Sequence, residues 1–235
     1  MHALGFSSWL FLAFVAIGLP YAAFTTGRHT RSAAGPAFTP SRTQLHLNAL
    51  ASQLLVFGIA WYAGWLAGLR PLQPVTLTPG DFLAGAATLA IMGGMAWVSH
   101  AVRSDEERRR LWVLGLLPRT GAERVTFALL AAVAAVSEEL AYRGVAFALF
   151  TALTGNAWAG AALAAAAFAG AHFPQGGKSM AIIFVIGLVK QGLVAVTGTL
   201  WIAIGVHFVY DVMTAATMAP RLAKLDASAA GTPRD

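Results

Sequence analysis

Long apolar stretches separated by short polar ones run the length of this chain. Leu4–Phe24, Leu45–Leu69, Phe82–Val102, Met180–Val196 and Leu200–Met218 are apolar with hardly a charge. A helix needs about 20 mostly apolar residues to cross the hydrocarbon core of a bilayer, so each of these stretches is predicted to be a span. Between them the pattern is less regular. Val125–Ala141 is apolar until Ser137-Glu138-Glu139, and Val145–Ala171 has no charge but is interrupted by Gly155-Asn156. The latter reads either as one bent span or as two short helices buried in a bundle. The expected fold class is therefore all-α, a polytopic transmembrane helical bundle with roughly six to eight spans.

The polar connections orient the bundle. Thr25–Gln44 holds Arg28, Arg31 and Arg42 and no acid, and Arg103–Arg124 is the most charged stretch of the chain. Arg70–Asp81 has a single basic residue. Excess Lys and Arg mark cytoplasmic loops, which puts the two Arg-rich segments inside and the N-terminus outside. The side of the C-terminus stays open. Within Arg103–Pro118, Leu111, Trp112, Leu114, Leu116 and Leu117 follow the Arg-rich run. That segment reads equally as an amphipathic helix on the membrane surface or as a solvated loop at the headgroups. No Lys or Arg precedes Leu4–Phe24, so this stretch is read as the first span and not as a cleaved signal. The chain divides into a three-span region (1–121) with its amphipathic loop, a helical core (122–219), and a polar tail (220–235) expected to be disordered.

Composition agrees. Apolar residues make up 57% of the chain and charged residues 11%, less than half the roughly 25% usual in soluble proteins. Mean hydropathy is +0.66. A formal charge of +6 would suggest nucleic acid in a soluble protein. Here the basic residues sit in loops, where they serve orientation and contact with lipid headgroups, and no nucleic-acid partner is expected. Cysteine is absent, which excludes disulfides and thiolate metal sites. Ala161–Ala167 is nearly all alanine, and Gly160, Gly170, Gly187, Gly192 and Gly205 recur. Small residues let helices approach closely in lipid. No internal repeat is visible, which argues against an inverted-repeat transporter.

The informative residues are polar ones inside apolar surroundings. From Val125 to Pro220 the only formally charged residues are Glu138, Glu139, Arg143, Lys178, Lys190 and Asp211, joined by His172 and His207. Charges in spans are costly and usually functional. Positions four apart on a helix share a face, so Arg143 is placed to neutralise Glu139. Glu138 lies about 100° further round the helix, beside Tyr142, and is left free. Burial and a like-charged neighbour both disfavour a carboxylate's charged form, which is how a base becomes poised for water activation near neutral pH. His207 and Asp211 are also four apart, a spacing at which a carboxylate can fix a histidine's tautomer. His172 ends the Ala-rich stretch just before Pro174. Each feature alone has a plainer reading. Glu138-Glu139 can mark a helix end, His172 can be interfacial, and His207 with Asp211 can be a structural hydrogen bond. Lys190 is read as snorkelling from its span, and Tyr142, Tyr210, Trp158 and Trp201 as belt or packing residues.

Taken in order, three segments resemble a known family. Glu138-Glu139-Leu140-Ala141-Tyr142-Arg143-Gly144 matches EExxYRG, Phe168-Ala169-Gly170-Ala171-His172 matches FxxxH, and His207-Phe208-Val209-Tyr210-Asp211 matches HxxxN with Asp last. The chain from about Ala122 to Ala219 resembles the CPBP intramembrane proteases, the CAAX-protease and bacteriocin-processing (ABI) group, which includes the type II CAAX prenyl endopeptidases. The resemblance implies an eight-helix fold with a membrane-embedded polar site and makes 122–219 the catalytic core. It implies peptide hydrolysis by a water activated by Glu138 with His172, with His207 and Asp211 binding the water or the oxyanion and Glu139 and Arg143 supporting the site. An ionised Asp cannot donate a hydrogen bond as Asn can, so Asp211 departs from the prenyl-protein enzymes and resembles bacterial members. No cofactor is expected. The alternative is a zinc ion held by Glu138, His172 and His207 with water in the fourth position, although the HExxH spacing of common zinc peptidases is absent. The expected setting is a bacterial inner membrane, with lipid and a protein or peptide substrate as partners. A transporter or proton-relay protein, and a catalytically silent immunity or scaffold protein, are the competing readings.

Overall fold

The computed structural model of the protein describes residues 4–32, 41–104, 107 and 115–230. Among them are seven helices and no strand, close to the eight expected. Helix α1 covers 6–32, as α-helix Phe6–Ala13, a π-helical turn Phe14–Gly18 and α-helix Leu19–Ser32. Then come α2 (Arg42–Leu66), α3 (Pro79–Ala101), α4 (Gly121–Thr154), α5 (Ala157–Gly170), α6 (Gly177–Thr197) and α7 (Leu200–Ala230).

Three of the long helices begin in the same way. Ser41, Thr78 and Thr120 accept the backbone N–H of Gln44, Asp81 and Glu123, whose side chains return the bond to the capping residue's own N–H. These capping boxes satisfy donors that the first turn leaves orphaned. They start each helix several residues before its apolar stretch begins.

Helices α2, α3, α4, α6, α7 and the Phe6–Thr26 part of α1 are long and apolar enough to cross a membrane. Large apolar side chains point outward, among them Trp97, Leu83 and Trp158. The exterior is thus apolar where a soluble protein has charge. The protein is an integral, multi-pass membrane protein.

Two departures from the sequence reading concern continuity. First, Val125–Ala141 and the beginning of Val145–Ala171 form one helix. α4 runs unbroken for 34 residues, about 50 Å at 1.5 Å per residue, and ends at Gly155, whose φ of +66° only glycine adopts readily. Asn156 then caps α5 by accepting the backbone N–H groups of Trp158 and Ala159. The 14-residue α5 is too short to span alone, and the first half of Val145–Ala171 is the end of the long α4, so neither one bent span nor two short helices describes this stretch. Second, the residues after Pro220 do not begin a disordered tail. α7 continues through Pro220 to Ala230, in keeping with the helix-forming Ala, Leu, Lys and Arg of that stretch. Residues 231–235, and most of the Arg-rich segment with Leu111, Trp112 and Leu114, lie outside the described residues.

Packing follows the small residues. A Cβ on Gly160 would collide with Thr151, one on Gly187 would meet Ala165 at 3.0 Å, and one on Gly144 would meet Pro71 at 3.0 Å. The first two seat α5 against α4 and α6, and the third seats α4 against the connection between α2 and α3. One buried cluster joins α1, α2, α4 and α5 around Tyr142, Val145 and Phe168, and a second joins α3, α6 and α7 around Met92, Ile186 and Ala203. The polar residues of α4 lie between the two.

Candidate active site

The EExxYRG motif sits where α4 changes its winding. Gly121–Glu138 is α-helical, Glu139–Ala146 is π-helical, and Phe147–Thr154 is α-helical again. Widened turns of this kind recur at functional sites. Glu138 and Glu139 straddle the change, and their side chains go to different partners.

Glu139 is fully buried. Its Oε1 accepts from Lys190 Nζ on α6, and His207 Nδ1 on α7 lies 2.8 Å from the same oxygen. Arg143 Nε is 3.5 Å from Oε2. A carboxylate only accepts, so the hydrogen of the His207 contact is on Nδ1. The terminal nitrogens of Arg143 have no hydrogen-bond partner. Instead the guanidinium lies over the Phe168 ring, 4.1 Å from its centroid, a cation–π contact that partly offsets its desolvation. The expected pairing of Glu139 with Arg143 is therefore present, within a larger cluster.

The reading of Lys190 as a snorkelling residue is overturned. Lys190 is 1% exposed and ion-paired with Glu139. It lies within the 21-residue α6, and a buried charge that cannot reach water must find a counter-charge. One sequence signal pointed there: Lys190 and Gln191 are adjacent polar residues in an apolar helix, and both are buried.

Among the described residues, no Lys or Arg pairs with Glu138. Gln53 Nε2, from α2, donates to Oε1 at 2.7 Å. His207 Nε2 is 3.7 Å from Oε2, and Asp211 Oδ2 is 3.6 Å from the same nitrogen. Both separations exceed direct hydrogen-bond length but fall where one water can touch both groups. The tautomer of His207 is therefore set by Glu139, through Nδ1, while Asp211 attends the other nitrogen. Sequence reasoning missed Gln53 because an uncharged amide in a span is not costly enough to stand out.

His172 ends α5 and opens a 3-10 turn, Phe173–Gln175. Its Nδ1 is 2.8 Å from the Phe168 carbonyl, so Nδ1 carries the hydrogen and Nε2 is free. The Phe168 ring meets His172 and Tyr142 edge-on, with centroids at 4.6 and 5.1 Å. The FxxxH spacing thus has a local cause: the carbonyl of its Phe orients its His one turn later, and the ring carries Arg143. No hydrogen bond joins His172 to Glu138, His207 or Asp211. Lys178 stays apart from the cluster, exposed and paired with Glu107 at 2.8 Å. This bond, helped by the Ser104 N–H, holds the Glu107 carboxyl below its usual range.

Among the described residues, no group of three or more His, Asp or Glu is arranged to hold a metal ion. A groove of about 400 Å³ between α2 and the 69–74 loop touches the motif only through Leu140 and is lined by none of these polar residues.

The family model described as type II CAAX prenyl endopeptidase Rce1-like matches residues 120–213. The match takes in Glu138, Glu139, Arg143, His172, Lys190, His207 and Asp211 and leaves out Gln53. This stretch, about 40% of the 235-residue chain, is similar to that family. Neither the comparison with curated proteins nor that with solved structures gave a match. The similarity accords with the three ordered motifs and supports a CAAX-protease-like function in general terms.

Proposed function

We propose that this protein is an intramembrane endopeptidase in which Glu138 activates water for attack on a peptide bond. One observation carries the reading. Of two adjacent carboxylates, Glu139 is taken up by Lys190, Arg143 and His207 Nδ1, while Glu138 keeps Oε2 turned towards His207 Nε2 at 3.7 Å.

In this reading Glu138 takes a proton from water as the water oxygen bonds to the peptide carbonyl carbon. The carbonyl oxygen becomes an oxyanion. His207, anchored through Nδ1, donates from Nε2 to that charge as a doubly protonated imidazolium. Ionised Asp211 cannot donate to an oxyanion, so its part is to attend Nε2. His172, with Nε2 free, assists at the water. The proton held by Glu138 then passes to the leaving nitrogen as the C–N bond breaks, and a carboxylic acid and an amine result. Catalysis in this reading is glutamate-dependent and metal-free, with a zinc ion on Glu138, His172 and His207 as the alternative. The setting is a bacterial inner membrane, and the substrate is a membrane-associated protein or peptide.

The test compares protein termini in membranes from cells making wild type or Glu138→Gln. The substitution keeps the shape and removes the base, which should lower cleavage by about 10²–10⁴-fold. New termini found only with wild type would name the substrates. Identical termini, with both proteins folded and abundant, would rule the protease reading out in favour of a transporter or a scaffold.

A further inference from the structure

Gln53 lies in α2, outside the matched stretch, yet its side chain joins two neighbouring residues of α4. The Ser137 hydroxyl is 2.5 Å from Gln53 Oε1, and Gln53 Nε2 is 2.7 Å from Glu138 Oε1. Chemistry fixes the amide's orientation. The Glu138 carboxylate accepts only, so the NH₂ group must face it, and the flipped amide would set two oxygens against each other. Ser137 is fully buried, with the Ala134 carbonyl at 3.2 Å as its other acceptor.

This relay has a consequence for Glu138. With Oε1 held by Gln53, Oε2 is the oxygen left facing His207 Nε2. Without it, the carboxylate of Glu138 has no hydrogen bond among the described residues and is free to turn about its last torsion, which is broad for glutamate. We propose that Gln53 is a positioning residue for Glu138, so that the N-terminal spans supply the group that aims the base of the C-terminal core. The proposal rests on the reading of Glu138 as the base. The plainer alternative is that Gln53 and Ser137 are polar glue between two helices.

Two measurements separate these. The first needs no substrate. The infrared carboxylate band of Glu138 is identified in purified protein as the band missing from Glu138→Gln. Gln53→Met, which keeps the length and removes both hydrogen bonds, should shift that band, and Ser137→Ala should leave it nearly in place. An unshifted band in folded Gln53→Met overturns the positioning role, whatever the protein cleaves. The second uses a quenched fluorescent peptide spanning a cleavage site found in the comparison of termini. Gln53→Met should lower kcat by about 10–10²-fold, as misplacement of a catalytic group does, with little change in KM. Added to Glu138→Gln it should cost nothing more, because the group it aims is gone. Wild-type kcat in folded Gln53→Met would leave only the helix-glue role. Full cleavage by Glu138→Gln would instead sink the reading of Glu138 as base, and it would leave the infrared result standing as a statement about the contact.

Discussion

On the face of α4 that turns to α6 and α7, Glu139 is surrounded by cations and by a histidine N–H. Glu138 meets the Gln53 amide of α2 and, at 3.7 Å, the other ring nitrogen of the same His207 on α7. The two residues are covalent neighbours of identical chemistry. Their side chains differ in exposure, 0% for Glu139 and 14% for Glu138. Glu139 has become part of the fold's internal charge balance. Glu138 is held in place but not neutralised, which is what a base requires. The difference teaches that a pair of carboxylates in a membrane helix is assigned its roles by which neighbouring helix each one faces.

The comparison can be broken most forcefully at Glu139. Replacing it by Gln leaves Lys190 and Arg143 buried without a counter-charge, and removing one partner of a buried pair costs about 3–5 kcal/mol. Glu138→Gln strands no buried cation and should leave stability nearly unchanged. Thermal unfolding of both variants in detergent checks this, and equal losses would show that the two carboxylates are not distinct. A smaller effect is expected in the double variant Glu139→Gln with Lys190→Met. Taking both charges away should recover about 1–3 kcal/mol relative to the sum of the single changes, the coupling expected of residues in contact. A sum that is simply additive would mean that the Lys190 contact carries no energy. The smallest effect belongs to Asp211, which is 31% exposed and 3.6 Å from His207 Nε2. Asp211→Asn should change stability by less than about 1 kcal/mol, as for partly exposed ion pairs. It should lower peptide cleavage by less than the roughly 10²-fold that loss of an acid–base group brings. A larger loss of rate would move Asp211 from attending His207 to direct work on the substrate.

Much of this was legible in sequence. Hydropathy located the spans, since the cost of an unpaired polar backbone in lipid leaves long apolar helices as the available solution. It placed helix starts less well. Ser41, Thr78 and Thr120 begin their helices before the apolar stretch does, because capping chemistry and burial are separate signals. The unbroken α4 was divided between Ala141 and Val145, because the charged residues from Glu138 to Arg143 interrupt the apolar pattern. The structure keeps the helix going through a π-helical turn, with Arg143 turned inward onto Glu139 and Phe168.

By itself the sequence determined the class of the protein, an all-α membrane bundle, and the short set of polar residues from which any site must be drawn. It also determined the local pairs, Glu139 with Arg143 and Phe168 with His172, because helical spacing alone brings residues one turn apart together. What only the tertiary structure decided is everything between helices. It turned Lys190 inward and gave Glu139, not Asp211, the task of fixing His207's tautomer. It also brought Gln53 from a distant span to Glu138. The physical reason is that contacts between helices depend on crossing and rotation, which small residues such as Gly144, Gly160 and Gly187 permit. That geometry is a property of the packed bundle, and no spacing along a single helix encodes it.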